Sequence, residues 1–272
     1  MKPENQYLIN GRKDTSLSPY DRGFAYGDGV FRTLKVNQGA PQHWKLQYQK
    51  LLEDCNALNI VCPSAEVLQS DMQVLLNDLE SAIIKIVVTR GESERGYALP
   101  PLAQPTRVVI KSAVPTYPES NYSDGVSLHL CQIRLSEQPL LAGVKHLNRL
   151  ENVLARSEWS NSTFADGVVM DANDNVIECT MSNIFAKFDD LLITPDLSRS
   201  GVAGITRQRI IDLANKIGLT TRVAVLPLKE LMQADEFIIC NSLFGAWQVN
   251  SFNQKTWPSG NLAKDLRNYL MG

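Results

Sequence analysis

The stretch Leu141-Ala142-Gly143-Val144-Lys145-His146-Leu147-Asn148-Arg149-Leu150-Glu151 sets a lysine in a largely apolar run, directly after glycine and valine. From Asn148 to about Trp159, Leu150, Val153 and Leu154 recur at helical spacing. Lys145 is therefore expected where a strand or loop hands over to a helix. Desolvation and the positive end of a helix both favour a neutral lysine amine. A lysine tuned in that way serves as a Schiff-base nucleophile and proton carrier. Taken alone, the segment also reads as a snorkelling lysine with its ammonium in water.

Working outward toward the C-terminus, Gly167–Asp171 and Asn175–Glu178 read as strands joined by an Asp171-Ala-Asn-Asp174 turn. Asn183–Phe188 and Leu191–Thr194 form a second pair around Asp189-Asp190. Gly201-Val-Ala-Gly204-Ile-Thr-Arg207 opens a helix with Ile210, Leu213, Ala214 and Ile217 on one face. Strands follow at Leu219–Val225 and Glu236–Cys240, separated by a short helical stretch, Leu228–Gln233. Upstream of the lysine, Val126–Ile133 is a strand. The preceding Pro115-Thr-Tyr-Pro-Glu-Ser-Asn-Tyr-Ser-Asp124 is the best domain boundary in the chain.

In the first part, Tyr7–Arg12 reads as a strand turning at Asn10-Gly11. Asp21–Gly29 is a glycine-punctuated loop leading into a strand, Val30–Val36. Leu46–Leu58 and Ala65–Leu79 are helices. Ala82–Arg90 and Thr106–Lys111 are strands around a polar loop, Gly91–Pro105. Strands with interspersed helices in both parts give a two-domain α+β or α/β protein. Its expected organisation is a small N-terminal α/β domain over 1–114, a linker over 115–124, and a larger C-terminal domain over 125–272 that carries Lys145.

The 272 residues are 44% hydrophobic and 21% charged, with a formal net charge of −2. That balance, without a Lys/Arg cluster, argues against nucleic acid as the main partner. No apolar run approaches the roughly 18 residues a membrane helix needs, and the start lacks the pattern of a secretory signal. Five scattered cysteines without Cys-x-x-Cys spacing are expected as free thiols in a reducing cytoplasm. Three histidines far apart in sequence give no metal-ligand pattern, so no metal is expected.

Four pieces carry chemistry together. Gly201–Arg207 puts two glycines and Thr206 ahead of a helix, where N–H groups and a hydroxyl can hold phosphate. Asn241-Ser242, just past an apolar strand, is a second polar clamp. Glu178 ends a strand, and a half-buried glutamate there needs a partner. A protonated pyridine nitrogen is such a partner. With Lys145 for a Schiff base, these are the requirements of pyridoxal 5'-phosphate. Read singly, each has an ordinary alternative: a glycine turn with a threonine cap, small polar residues at a strand end, or a solvent-facing glutamate.

The sequence resembles the fold-type IV pyridoxal-phosphate enzymes, whose fold is that of D-amino-acid aminotransferase. The resemblance covers nearly the whole chain. It rests on Asp21-Arg-Gly with Tyr26-Gly-Asp-Gly-Val30, on Glu178-x-x-x-Ser-Asn183 followed by Ile184-Phe185, and on Gly204-Ile-Thr-Arg207. Within the family, the lysine stretch, Arg90-Gly-x-x-x-Arg95-Gly-Tyr97 and Gln233–Asn241 are most similar to the aminodeoxychorismate lyases.

The resemblance implies a homodimer and a role for each residue. Lys145 would hold the cofactor as an internal aldimine and then move protons. Glu178 would pair with the pyridine nitrogen. Ile205, Thr206, Asn241 and Ser242 would hold the phosphate. Where relatives place an arginine on the phosphate, this chain has Lys50, which keeps the charge and loses the bidentate fork.

The implied reaction converts 4-amino-4-deoxychorismate to 4-aminobenzoate, a folate precursor, and pyruvate by proton abstraction and elimination. Two substrate carboxylates call for cationic forks: Arg95 first, then Arg32 and Arg107, either of which strand alternation could turn outward. Thr33 is the candidate for protonating the leaving group. Phe31 stands where the D-amino-acid relative has an aromatic hydroxyl. The rival activities are a D-amino-acid or branched-chain aminotransferase on the same fold, and a non-enzymatic binder of a phosphorylated ligand.

Overall fold

The computed structural model describes residues 6–77, 81–160 and 163–271. The chain divides into two compact units, Met1–Thr116 with Val144–Asn148, and Tyr117–Gly143 with Arg149–Gly272. The change of unit at Thr116–Tyr117 falls at the proline-rich segment. The lysine segment, expected with the C-terminal part, packs instead with the first unit.

The first unit contains β1 (Gln6–Ile9), α1 (Arg22–Tyr26), β2 (Gly29–Asn37), β3 (Ala40–Pro41), α2 (Trp44–Ala57), α3 (Ala65–Leu75), β4 (Ala82–Thr89) and β5 (Thr106–Ser112). Its sheet runs β1-β5-β4-β2-β3, antiparallel throughout. The β-branched run Ala82-Ile-Ile-Lys-Ile-Val-Val-Thr89 takes the centre, as a segment buried on both faces should. Alternation along β2 sends Val30, Leu34 and Val36 into a core with Leu51 and Cys55 of α2 and Leu68, Met72 and Leu75 of α3. Each such large apolar side chain contributes about 1.5–3 kcal/mol on burial. Phe31, Thr33 and Lys35 consequently point to the opposite face.

Three expectations shift here. Asp21–Gly29 is not all loop. Asp21 caps the short helix α1 by accepting from the Gly23 N–H at 2.8 Å. The Asn10-Gly11 turn closes only on Arg12, and β1 pairs with β5 instead of a hairpin arm. The helix expected to reach Leu79 ends at Leu75, and 78–80 lie outside the described residues.

The second unit contains α4 (Ser120–Ser123), β6 (Val126–Arg134), α5 (Leu150–Ser157), β7 (Asp166–Met170), β8 (Val176–Cys179), β9 (Asn183–Phe188), β10 (Leu191–Pro195), α6 (Ile205–Ala214), β11 (Thr220–Ala224), α7 (Leu228–Leu231), β12 (Glu236–Asn241), β13 (Gly245–Phe252), β14 (Lys255–Thr256) and α8 (Leu262–Met271). Its sheet runs β11-β10-β9-β12-β13-β6-β7-β8, with β14 on β13. Period-2 alternation serves two cores. Phe185, Ile238, Cys240 and Ala246 pack with Ile210 of α6 and Leu266 of α8, while Ile184, Phe237, Ile239 and Trp247 face the other way. The sequence reading missed β13 and α8. Their signals are legible in retrospect: Leu262, Ala263, Leu266 and Leu270 at helical spacing, and the alternating run after Gly245.

The five cysteines are unbridged. No helix among the described residues is long and apolar enough to cross a membrane.

Candidate active site

In the first unit, β-pairing positions Lys145. His146 forms a bridge with Val30. The Phe31 N–H donates to the Lys145 carbonyl and the Leu147 N–H to the Gly29 carbonyl, both at 2.9 Å. Gly29 permits this approach, since a Cβ there would lie 2.8 Å from a Leu147 methyl and 2.6 Å from the Val88 carbonyl oxygen. Val144 enters the α2/α3 core, so alternation turns Lys145 to the other face, with its Nζ 4.5 Å from the Phe31 ring centroid. The Lys85 Nζ lies 4.8 Å from the same centroid, and Lys85 is the register partner of Thr33. Lys145, Phe31, Thr33 and Lys85 thus share one face. The expected helix entry is displaced: α5 begins only at Leu150. A helix dipole acts chiefly within its first turn, so the expected dipole effect of α5 on Lys145 is weakened, and the ring of Phe31 lies beside its amine.

The arginine candidates separate. Arg32 points to the face opposite Phe31 and is 3% exposed. Its Nε and Nη2 donate to Gln47 Oε1 at 3.3 and 3.2 Å, and its Nη1 stands 3.6 Å from Asp54 Oδ2. Burial pulls the guanidinium below its ordinary value, and Asp54 opposes that. Arg107 is paired with Asp71 of α3, Nε to Oδ2 at 2.6 Å. Arg95 is exposed in the loop after β4. Lys50 donates to Asp54, one turn along α2. The fully buried Asp54 carboxylate therefore meets Lys50, Arg32 and, at 3.4 Å, the Lys145 backbone N–H. No sequence signal flagged Asp54.

A second unforeseen cluster shapes the loop bearing Arg95. Asp28 accepts from Arg22 Nε and Arg90 Nε, both at 2.8 Å. Arg22 also donates to Ser93 Oγ and to the Gly96 carbonyl at 3.0 and 3.1 Å. Arg90 reaches the Leu58 and Asn59 carbonyls at 2.7 and 2.8 Å. Burial pushes the Asp28 carboxyl up, but the hydrogen bonds from Arg90 and Arg22 hold it below its usual range.

In the second unit, Glu178, next to last in β8, is 3% exposed, and its Oε2 accepts from the Val202 N–H at 2.8 Å. The same turn is pinned to Gly143, whose N–H donates to the Gly201 carbonyl at 2.9 Å while the Ala203 N–H donates back at 3.1 Å. Asn183 donates to the Val202 carbonyl at 2.8 Å and accepts from the Gly204 N–H at 3.2 Å. A Cβ on Gly204 would fall 2.3 Å from Asn183 Oδ1, so any larger residue there must displace the Asn183 amide.

Helix α6 starts at Ile205, and Thr206 Oγ1 lies 3.4 Å from Ser242 Oγ. Those two hydroxyls, drawn from distant positions, meet beside the helix N-terminus, where unpaired N–H groups favour an anion. Asn241 Oδ1 accepts from the Leu243 and Phe244 N–H groups at 2.9 and 3.0 Å, which fixes the turn that carries Ser242. The fully buried Asp166 accepts from Thr180 Oγ1 and Ser182 Oγ at 2.5 and 2.7 Å, and burial raises its carboxyl. The grouping of a buried carboxylate with a hydroxyl pair at a helix N-terminus fits a phosphorylated pyridine.

The chain is similar to known proteins over nearly its whole length. A family model described as amino-transferase class IV matches residues 29–252. The chain is similar to the aminodeoxychorismate lyase of Vibrio harveyi, 37% identical over 269 residues, covering 97% of this chain and 99% of that one. It is similar in structure to 4-amino-4-deoxychorismate lyase from Pseudomonas aeruginosa, with TM-score 0.92, 42% identity and 97% of each chain covered. The branched-chain amino acid aminotransferase of Escherichia coli shares the fold at TM-score 0.86 and 22% identity, over 98% of this chain and 93% of that one.

Proposed function

Because the chain belongs to the class IV aminotransferase family, the fold-type IV group, we propose that it is an aminodeoxychorismate lyase that uses pyridoxal 5'-phosphate. The observation that carries the reading is Lys145, held by strand pairing on the sheet face that also presents Thr33 and Phe31. Nearly full-length similarity to aminodeoxychorismate lyases selects this activity over the aminotransferases.

The cofactor, when bound, supplies an aldehyde that captures amines and a ring that accommodates the electron pair left by a departing proton. Lys145 Nζ would be the amine that holds the cofactor at its aldehyde. Once free, Nζ would take the proton from the amine-bearing carbon of 4-amino-4-deoxychorismate. Thr33, on the same face, gives a proton to the departing enolpyruvyl oxygen. The ring left behind is aromatic, which drives the step, and the products are 4-aminobenzoate and pyruvate.

Glu178 would accept the pyridine N–H and so keep the ring protonated. Thr206, Ser242, Asn241 and the N–H groups from Ile205 onward hold the phosphate, with Lys50 as the cation on the phosphate. Arg95, exposed and unlike Arg32 and Arg107 without an ion pair among the described contacts, is the first partner for a substrate carboxylate. Arg32 and Arg107 then act on substrate only through the elements they brace. A homodimer in the cytoplasm belongs to the same proposal.

The test is product analysis with enzymatically generated 4-amino-4-deoxychorismate, beside D-alanine or leucine with 2-oxoglutarate. Formation of 4-aminobenzoate with equal pyruvate, and little glutamate, is the expected result. Glutamate without 4-aminobenzoate would keep the cofactor roles and overturn the substrate.

A further inference from the structure

Away from the residues assigned above, three different metal-donor atoms converge in the second unit. His129 and Cys131 stand two apart on β6 and so share a face. Glu158 immediately follows α5. One nitrogen of His129, the Cys131 Sγ and a Glu158 oxygen lie within 4.8 Å of one another, and His129 Nε2 is 3.1 Å from Glu158 Oε2.

In a tetrahedral zinc site, bonds of about 2.0–2.3 Å put the donors roughly 3.3–3.6 Å apart. The histidine and glutamate already stand near that spacing. The thiol sulfur, within 4.8 Å of the other donors, needs a shift of about 1.5 Å or less to join them.

The glutamate is held in advance. Its two oxygens accept from the Gln132 N–H at 2.7 Å and the Ile133 N–H at 3.0 Å, at the irregularity where β6 changes register against β7. Burial pushes the Glu158 carboxyl up, but these bonds and His129 hold it below its ordinary value, so it is an anion. A carboxylate offers about four lone-pair sites, which leaves room for a metal beside these contacts.

The sulfur is confined as well. A Cβ on Gly167 would lie 2.6 Å from Cys131 Sγ and 2.6 Å from the Trp159 ring, so the sulfur sits against the β7 backbone. The His129 ring lies 5.1 Å from Trp159 and 5.4 Å from Phe164, which form an apolar wall. The side chains of His129 and Glu158 remain 23% and 19% exposed, giving solvent a path to the cluster.

We propose that His129, Cys131 and Glu158 form a site for a zinc-class divalent cation, with water as the fourth ligand. One imidazole, one thiolate and one carboxylate form a borderline-soft set that selects zinc or cobalt over magnesium and calcium. Burial raises the Cys131 thiol to about 12, so the metal–sulfur bond forms as the thiol proton leaves to solvent. The cation would tie the irregular stretch of β6 to the end of α5. The sequence gives no sign of this, because only one of the three histidines takes part.

Equilibrium dialysis of the cofactor-loaded protein against buffered zinc, read by elemental analysis, tests the assignment. The unmodified protein should retain about one zinc per chain, and His129→Gln and Cys131→Ser should each weaken retention at least tenfold. Cobalt should give a thiolate charge-transfer band that Cys131→Ser abolishes. His129 is partly exposed and outside the lyase residues, so His129→Gln should keep the fold and the turnover. Failure of the unmodified protein to retain zinc, or retention unchanged in both variants, would overturn the site.

Discussion

At the scale of single residues, Lys145 carries the sharpest expectation. Lys145→Ala should still bind cofactor through Glu178 and the phosphate groups, but without a covalent bond. Turnover should fall by at least 10³-fold, in line with loss of a nucleophile and a general base together. Absorbance of the loaded variant, with acid release of free cofactor, checks the missing bond; substantial residual turnover would exclude the role.

Lys50 is the second case. Lysine already lacks the arginine fork, and here it also donates to Asp54, so cofactor should be held more weakly than arginine would allow. Lys50→Ala should raise the cofactor dissociation constant about tenfold, or about 1.4 kcal/mol. An unchanged constant would remove Lys50 from the phosphate. Asp54→Asn should act differently, because it leaves Arg32 buried without its carboxylate. Breaking such a pair costs about 3 kcal/mol, which would lower Tm by on the order of 10 °C.

At the scale of elements, the loop after β4 depends on Asp28 and its two arginines. The folded carboxyl lies below its ordinary value, whereas the unfolded one titrates near 3.9. The stability it contributes is therefore present above about pH 4 and lost as pH falls through the lower folded value. Asp28→Asn should flatten the acid limb of the Tm–pH curve while lowering Tm at neutral pH. Thermal melts from pH 6 to pH 2.5 decide it: an acid limb as steep as that of the unmodified protein would mean the pair contributes nothing.

The turn before α6 is equally confined. Gly204→Ala must push Asn183 from its place, which frees the Val202 carbonyl and loosens the segment on which Glu178 rests. Cofactor retention on dialysis should fall several-fold with little change in overall secondary structure.

At the scale of the whole molecule, each unit has its own buried core, and the chain crosses between them around Lys145. The lysine segment is flanked in sequence by second-unit residues and packs with the first. Gly143 is pinned to the Glu178 turn and Lys145 to β2.

Much of this protein was legible from its residues. Apolar periodicity gave the central strands and helices α2, α3 and α6, because burying one face imposes a repeat that sequence must display. Lys145, Glu178, Thr206 and Ser242 stood out because their side-chain types and local turns announce chemistry. The same local rules left the arginines open, and only packing resolved them: Arg32 goes to Gln47 and Asp54, and Arg107 to Asp71. The Asp54, Asp28 and Asp166 clusters and the His129–Cys131–Glu158 group were invisible for one reason. Their members meet through contacts between separate elements, and neither spacing nor periodicity encodes such a meeting. Sequence determined which chemical groups the molecule owns and where its elements run; the tertiary structure decided which charges are paired in the interior, because those pairs join residues from separate elements.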